Sequence, residues 1–251
     1  GVIQFQSYVR AVAVRRRRTK ILVVQASRVG RANERSAKDP KLRLGYRTRN
    51  ALSILQTSKS LSELMAAVKT LEASTRLSIA CCEVFTRVGA AHSLLELVVG
   101  CNRSVPHTEL VQFTLLTLDN VAQHAKLLPS FADCTTAEIF LDKMLMFRDN
   151  DSIFCLSIFL LGRIANCNPA VMELCCVHEH LKRLHSVHNM SIRRLQSRKL
   201  IKQTEKKLDK MKGKRESFDM KKAVKVLGKM IKSFEKLPAK PAPGEKHFKF
   251  Q

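Results

Sequence analysis
Near the start of the chain, Phe5-Gln6-Ser7-Tyr8-Val9-Arg10-Ala11-Val12-Ala13-Val14-Arg15 places three kinds of side chain at helical spacing. Phe5, Val9 and Val12 stand at i, i+4 and i+7, which makes an apolar stripe on one face of a helix. Gln6 and Arg10 are one turn apart and supply a hydrogen-bonding amide and a fixed positive charge. Ala11 leaves room for close approach, and Arg15 begins a run, Arg15 to Arg18 with Lys20, that extends the positive field along the helix. The chemistry is that of a helix clasped by an acidic, methionine-lined clamp.

The order apolar, Gln, three residues, Arg, small, three residues, basic is the IQ template, so the expected partner is calmodulin or a calmodulin-like light chain. A second, weaker match begins at Val24-Gln25, with Gly30 in the small-residue place, Val29 where Arg belongs, and Glu34 where a base belongs. Gln6 and Gln25 are 19 residues apart, about 28 Å along a helix, which is tight for two light chains side by side.

Other candidate chemistry is thin. Cys175, Cys176, His178, His180, His185 and His188 form the densest set of metal-ligand types, yet they contain no Cys-x-x-Cys pair. They read as core thiols and solvated imidazoles, and no metal or cofactor is expected. Neither Gly-x-Ser-x-Gly, His-Glu-x-x-His nor a phosphate-cradling Gly-Lys-Ser/Thr loop occurs, so no catalytic residues are assigned and an enzyme is not expected.

The elements that must position these residues follow from composition. The 251 residues carry 45 Lys+Arg against 21 Asp+Glu, a net +24. Residues 1–50 carry +12, residues 178–251 carry +15, and the block between them, which holds all eight cysteines, carries −3. Cysteines set in apolar runs such as Ile153-Phe154-Cys155-Leu156 behave as small hydrophobes, which argues for a reducing compartment. No run of 18 apolar residues occurs, and no membrane partner is expected. Gly1, without a starting Met, leads straight into a basic helix, an opening that suits a piece of a longer protein.

Every periodic stretch has the helical period. Residues 2–36 read as one long helix, broken at Asp39-Pro40, and another follows over about 41–57. Ser60 with Glu63 suggests a capping box ahead of Leu61, Leu64, Met65, Val68 and Leu71. Further helices are expected near 75–87, 90–100, 107–124, 134–147, 151–166 and 169–176. Several are apolar nearly all round and must be enclosed by neighbours. Asn120 and Arg163, in matching phrases, are 43 residues apart, within the period of HEAT and armadillo units. From 178 a Lys/Arg-dense helix carries Ile192, Leu195, Ile201, Leu208 and Met211, and Ser217 opens a second with Phe218, Ala223, Leu227, Met230, Ile231 and Phe234 on one face. That second helix suits either a basic amphipathic ligand or a cap on the stack. The division expected is 1–38 IQ helix, 39–177 armadillo/HEAT-like domain, 178–236 basic helices and 237–251 flexible tail. The fold class expected is all-α: a long IQ-containing helix, an armadillo/HEAT-like repeat stack and long basic C-terminal helices.

With the IQ matches, the phrases Arg47-Thr48-Arg49-Asn50-Ala51, Ser74-Thr75-Arg76-Leu77-Ser78-Ile79-Ala80-Cys81-Cys82 and Gly100-Cys101-Asn102-Arg103-Ser104-Val105-Pro106 resemble the C-terminal region of the abnormal spindle (microcephaly-associated) protein family. The resemblance covers about 1–165. It implies a large spindle-pole protein with microtubule-binding and calponin-homology regions upstream, many IQ motifs and a closing armadillo-like domain. It further implies calmodulin, microtubules and spindle-pole proteins as partners, and a place in the cytoplasm, at the cytoskeleton and the spindle pole or centrosome, with the nucleus in interphase as a further site. The alternative is a direct electrostatic binder of microtubules or nucleic acid through the basic arms, without calmodulin. Nucleic acid is the weaker choice, because the arms do not interleave aromatics for base stacking.

Overall fold
The computed structural model describes residues 2–205 and 219–236, with the side chains at 2–11, 13, 16 and 198–205 outside the description. The expectations for Leu208, Met211, Ser217, Phe218 and the tail 237–251 therefore lie outside the described residues, as does the side chain of Ile201. Among the described residues there are eleven α-helices, two 3-10 turns and no strand. The fold is all-α, and the chain divides into two compact units, 1–50 and 51–251.

The first unit is dominated by α1, Val2–Lys38. No proline interrupts it, and Arg35 and Lys38 in its last turn face the negative end of the helix dipole. Asp39 then turns extended, and its side chain accepts from the Lys41 N–H at 2.9 Å, opening the 3-10 turn Pro40–Leu42. Arg43 Nε reaches back to the Ser36 carbonyl at 3.1 Å. Helix α2, Leu44–Thr57, begins in this unit and ends in the next.

The second unit holds α3 Leu61–Leu77, α4 Ile79–Arg87, α5 Ala90–Val99, α6 Val105–Ala122, α7 Cys134–Met146, α8 Asp151–Cys167, α9 Pro169–Cys175, α10 His178–Glu205 and α11 Met220–Phe234. Helices α5, α7 and α10 begin 44 residues apart, and each pairs with the helix after it, α6, α8 and α11. Helix α3 packs on α6, α6 on α8, and α8 on α11, so these four form the spine of a helical-repeat stack. The repeat read from Asn120 and Arg163 is therefore one step of this spine. Helix α11 is its last member: Met220, Ala223, Val224, Leu227, Ile231 and Phe234 are buried in the same core as Leu118 and Leu161.

Two local expectations need correction. Ser60 does not cap α3 through its side chain; Ser58 donates to Glu63 Oε2 at 2.5 Å and accepts from the Ser60 N–H. Two serines compete for one carboxylate, and the one nearer the preceding helix takes it. The helix expected from about 75 begins instead at Ile79, because α3 continues to Leu77 and Ser78 turns extended between them. Gly89, at φ +68, makes the corner between α4 and α5, a conformation that suits a residue without Cβ.

Polar ties join successive repeats. Lys143, 3% exposed, donates to the carbonyls of Val99 at 3.1 Å and Cys101 at 3.3 Å, closing the C-terminal end of α5. Burial pushes its ammonium pKa down, and pushes the Cys101 thiol up. Arg194 similarly holds the corner before α8, with Nη1 on Arg148 O and Nη2 on Asp149 O at 2.7 Å. Between α10 and α11, a Cβ at Gly228 would lie 2.9 Å from His188 Nε2, so a side chain there would require the imidazole or the helix to shift.

Lys143→Ala leaves two helix-end carbonyls without their donor and should lower stability by about 1–3 kcal/mol, read as an earlier urea midpoint with unchanged helical circular dichroism. An unmoved midpoint would show that the lysine carries no weight. Gly228→Ala should lower the thermal midpoint by forcing α11 away from His188. The His188 pKa is lowered, first by burial, then by the charge of His185, with Lys232 acting the same way and the Val224 backbone opposing. The folded state thus favours neutral His188, and the stability this contributes is full above the unfolded histidine value, about 6.5, and lost as pH falls through the lower folded value. His185 Nε2, which faces His188 on the same helix, lies 3.0 Å from Glu235 Oε1. The loss of stability from pH 7 to pH 5 should accordingly shrink in His188→Gln, and an equal loss in both chains would refute the assignment.

Candidate functional site
Helix α1 carries both IQ-like stretches on one uninterrupted helix, with the backbone of Phe5, Gln6, Val9, Arg10 and Ala11 helical throughout. The side chains of these five lie outside the described residues. From Val12 onward the picture is explicit: Val12 is half-buried, and Arg15, Arg17, Arg18 and Lys20 are exposed. Val12, Arg15, Thr19 and Lys20 line one open groove on the helix surface. Thr19 Oγ1 donates to the Arg15 carbonyl one turn back at 3.0 Å. The last two residues of the first IQ match and the end of the following basic run therefore share a face.

At the second match, Val24 is 49% exposed, Gln25 is exposed, and a Cβ at Gly30 would meet nothing within 4 Å. Ser27 Oγ donates to the Val24 carbonyl at 2.9 Å, and Arg31 Nε to the Ser27 carbonyl at 3.3 Å. The residues that motif matching passed over are Ile21, Leu22 and Val23, which with Val24 make four successive exposed apolar positions. Positions 100° apart on a helix spread those four side chains around most of its circumference. A flat partner can cover only one side of such a segment, whereas two lobes closing on it can cover all of it. The signal was present in the sequence as an apolar run of four between Lys20 and Gln25.

The spine of the stack presents a second surface of interest. Asn120 Nδ2 is 3.2 Å from both the Glu72 carbonyl and Thr75 Oγ1, so its amide ties α6 to α3. Arg163 Nη1 meets Asp119 Oδ1 at 2.7 Å and the Asp119 carbonyl at 3.3 Å, tying α8 to α6. Both side chains are spent on neighbouring repeats. Half-buried Phe113 on α6 and Phe159 on α8 each face a lysine of a neighbouring spine helix, with Lys69 Nζ 5.2 Å from the first ring and Lys222 Nζ 5.8 Å from the second. On α11, Lys221, Lys222, Lys225, Lys229 and Lys232 are all exposed, as is Lys236 just past its end, while the apolar face is buried in the core. Membrane insertion would need the face that packing already occupies.

Nothing in these surroundings favours a nucleophile. Burial raises the Cys82 thiol to about 11 and the Cys175 thiol to about 12, and raises Cys176 as well, which keeps all three as neutral thiols. Of the histidines near them in sequence, His185 pairs with Glu235 and His188 lies against Gly228. Among the described residues no group of three or more His, Cys, Asp or Glu converges as a metal site. Among the described residues, too, no helix is long and apolar enough to cross a membrane.

Known proteins resemble this chain in sequence. It is 31% identical over 159 residues to the abnormal spindle-like microcephaly-associated protein homolog of Bos taurus, which covers 59% of this chain and 5% of that protein. The homolog of Saimiri boliviensis boliviensis is 29% identical over 203 residues, 76% of this chain and 6% of that protein. The Homo sapiens abnormal spindle-like microcephaly-associated protein is 32% identical over 152 residues, 59% of this chain and 4% of that protein. The chain thus spans about one twentieth of the length of the curated relatives it matches. No family model matches it, and no solved structure matches it.

Proposed function
The chain belongs to the abnormal spindle-like microcephaly-associated protein family, and we propose that it binds calmodulin, or a calmodulin-like light chain, on α1 and serves as a non-enzymatic helical scaffold at the spindle pole. Phe5, Gln6, Val9, Arg10, Ala11, Val12 and Arg15 form the first site; Val24, Gln25 and Gly30 belong to the second. The observation that carries the reading is α1 itself, a basic helix whose described apolar residues from Val14 to Val29 are exposed while the repeat core buries its own. Apolar surface at that density, set among arginines, is complementary to an acidic clamp with apolar grooves.

The armadillo-like character of the stack, its attachment to microtubules or spindle-pole proteins, and a position at the cytoskeleton, centrosome or spindle pole belong to the same proposal. Recognition there would differ from a peptide groove built on free asparagines, since Asn120 is occupied by α3. A second reading, direct electrostatic attachment to microtubules or nucleic acid without calmodulin, is favoured by one observation: among the described residues none of the five α11 lysines has an acidic partner within salt-bridge distance.

Size-exclusion chromatography of the chain with calmodulin, with and without calcium, tests partner, stoichiometry and calcium dependence together. The doubly substituted chain Gln6→Ala with Arg10→Ala should keep its helical circular dichroism and lose about tenfold or more in calmodulin affinity, through one amide and one charge-assisted contact. Unchanged binding by the folded double variant would remove the first site. Co-sedimentation with intact and tail-cleaved microtubules, set against duplex DNA, decides the electrostatic alternative.

A further inference from the structure
We infer that Thr19 is a phosphorylation site for an arginine-directed Ser/Thr kinase, and that phosphate on Thr19 and an acidic clamp on α1 exclude each other. Thr19 follows four consecutive arginines, Arg15 to Arg18, a pattern that an acidic kinase cleft recognises by charge. Its side chain is exposed, and its one described bond is to the Arg15 carbonyl of its own helix. Such a back-bond is weak and easily surrendered.

Among the described residues Ser197 offers the nearest comparison, with Arg193 and Arg194 at four and three positions before it. There the recognition arginine is already engaged: Arg194 holds Arg148 O, Asp149 O and, at 3.0 Å, Asp151 Oδ1. The helix leading to Ser197 is packed into the stack, with Ser191 and Val187 buried about two and three turns earlier. Thr19 instead lies in a helix that packs, within its own unit, on the 3-10 turn at its far end. Helices without tertiary support open readily, and a kinase needs its substrate opened into an extended strand. The transfer is a phosphoryl exchange. Thr19 Oγ1 bonds to the γ-phosphorus of ATP, the bond from that phosphorus to the departing ADP oxygen breaks, and the hydroxyl proton passes to the kinase's catalytic carboxylate.

The consequence follows from the shared groove. Val12 and Arg15 of the first IQ match and Lys20 lie on the same face as Thr19. A phosphate there adds nearly two negative charges where an acidic lobe must settle, and draws Arg15 and Lys20 onto itself. A bound lobe, in turn, covers the hydroxyl. This regulation rests on the calmodulin reading, whereas the modification itself does not.

The test uses the whole 251-residue chain, the catalytic subunit of cAMP-dependent protein kinase with MgATP, and calmodulin. Phosphate should map by mass spectrometry to Thr19 and vanish from that site in Thr19→Ala. Phosphorylation should weaken calmodulin binding about tenfold or more, phosphatase treatment should restore it, and kinase treatment of Thr19→Ala should leave that variant's affinity where it was before treatment. Prior saturation with calmodulin should slow incorporation at Thr19. No phosphate on Thr19, or phosphate with unchanged affinity, overturns the inference. Failure of the untreated chain to bind calmodulin overturns the calmodulin reading and the antagonism with it, and is told apart because it appears before any kinase is added.

Discussion
The constraint on which the structure rests is that α8 cannot face water. Eleven of its residues are buried, and they lie on every side of the helix. An apolar helix of that kind must be enclosed, and α7 in the same hairpin, α6 from the preceding repeat and α11 from the following one do most of it, with α9 beside them. Gly162 is what lets the last of these come close, since a Cβ there would lie 3.1 Å from Met230 Sδ. A helix-forming segment with one apolar and one polar face is therefore required after α10, and α11 supplies it.

That requirement accounts for part of the charge. A spine helix that ends a stack must be apolar toward its neighbour and polar outward, and α11 meets this with Met220, Leu227 and Phe234 inside and five lysines outside. Lysine alone is not demanded by solvation, because glutamate would serve as well and a mixture would avoid self-repulsion. The single sign of that face therefore reflects something other than the need to end the repeat. Within the stack the opposite holds: Lys143, Asn120 and Arg163 each reach to atoms about one repeat earlier, so these polar side chains also set its register.

How much of this is legible in the sequence depends on how local the determinant is. The helix of residues 2–38, the break at Asp39-Pro40 and the 43-residue echo between Asn120 and Arg163 follow from composition and spacing within short windows. The role of α11 does not, because α8 and α11 begin 69 residues apart and the regular interval is stretched by the length of α10 and the segment after it. Its amphipathic pattern is compatible with a ligand, a membrane helix or a core helix, and only packing decides among them. The capping of α3 escapes the sequence for a smaller reason: the Ser58 hydroxyl takes both the Glu63 carboxylate and the Ser60 N–H that a capping box would pair directly, and spacing does not show which serine stands close enough to do so. On α1 the motif match drew attention to Gln6 and Gln25, while the exposed run Ile21 to Val24 between them became meaningful once no neighbour within its unit was seen to cover it.

The two basic regions therefore differ in kind. The lysines of α11 decorate a helix whose apolar side is already satisfied, so whatever they meet is met by charge alone and must weaken steeply with salt. The arginines of α1 flank apolar side chains that nothing within its unit buries, so a partner there gains both charge neutralisation and removal of apolar surface from water. The second kind of contact can be strong and specific where the first is long-ranged and permissive. The same exposure that makes α1 a binding element makes it a helix with little tertiary support, and a segment of that sort is where regulation by a single added charge has the greatest leverage.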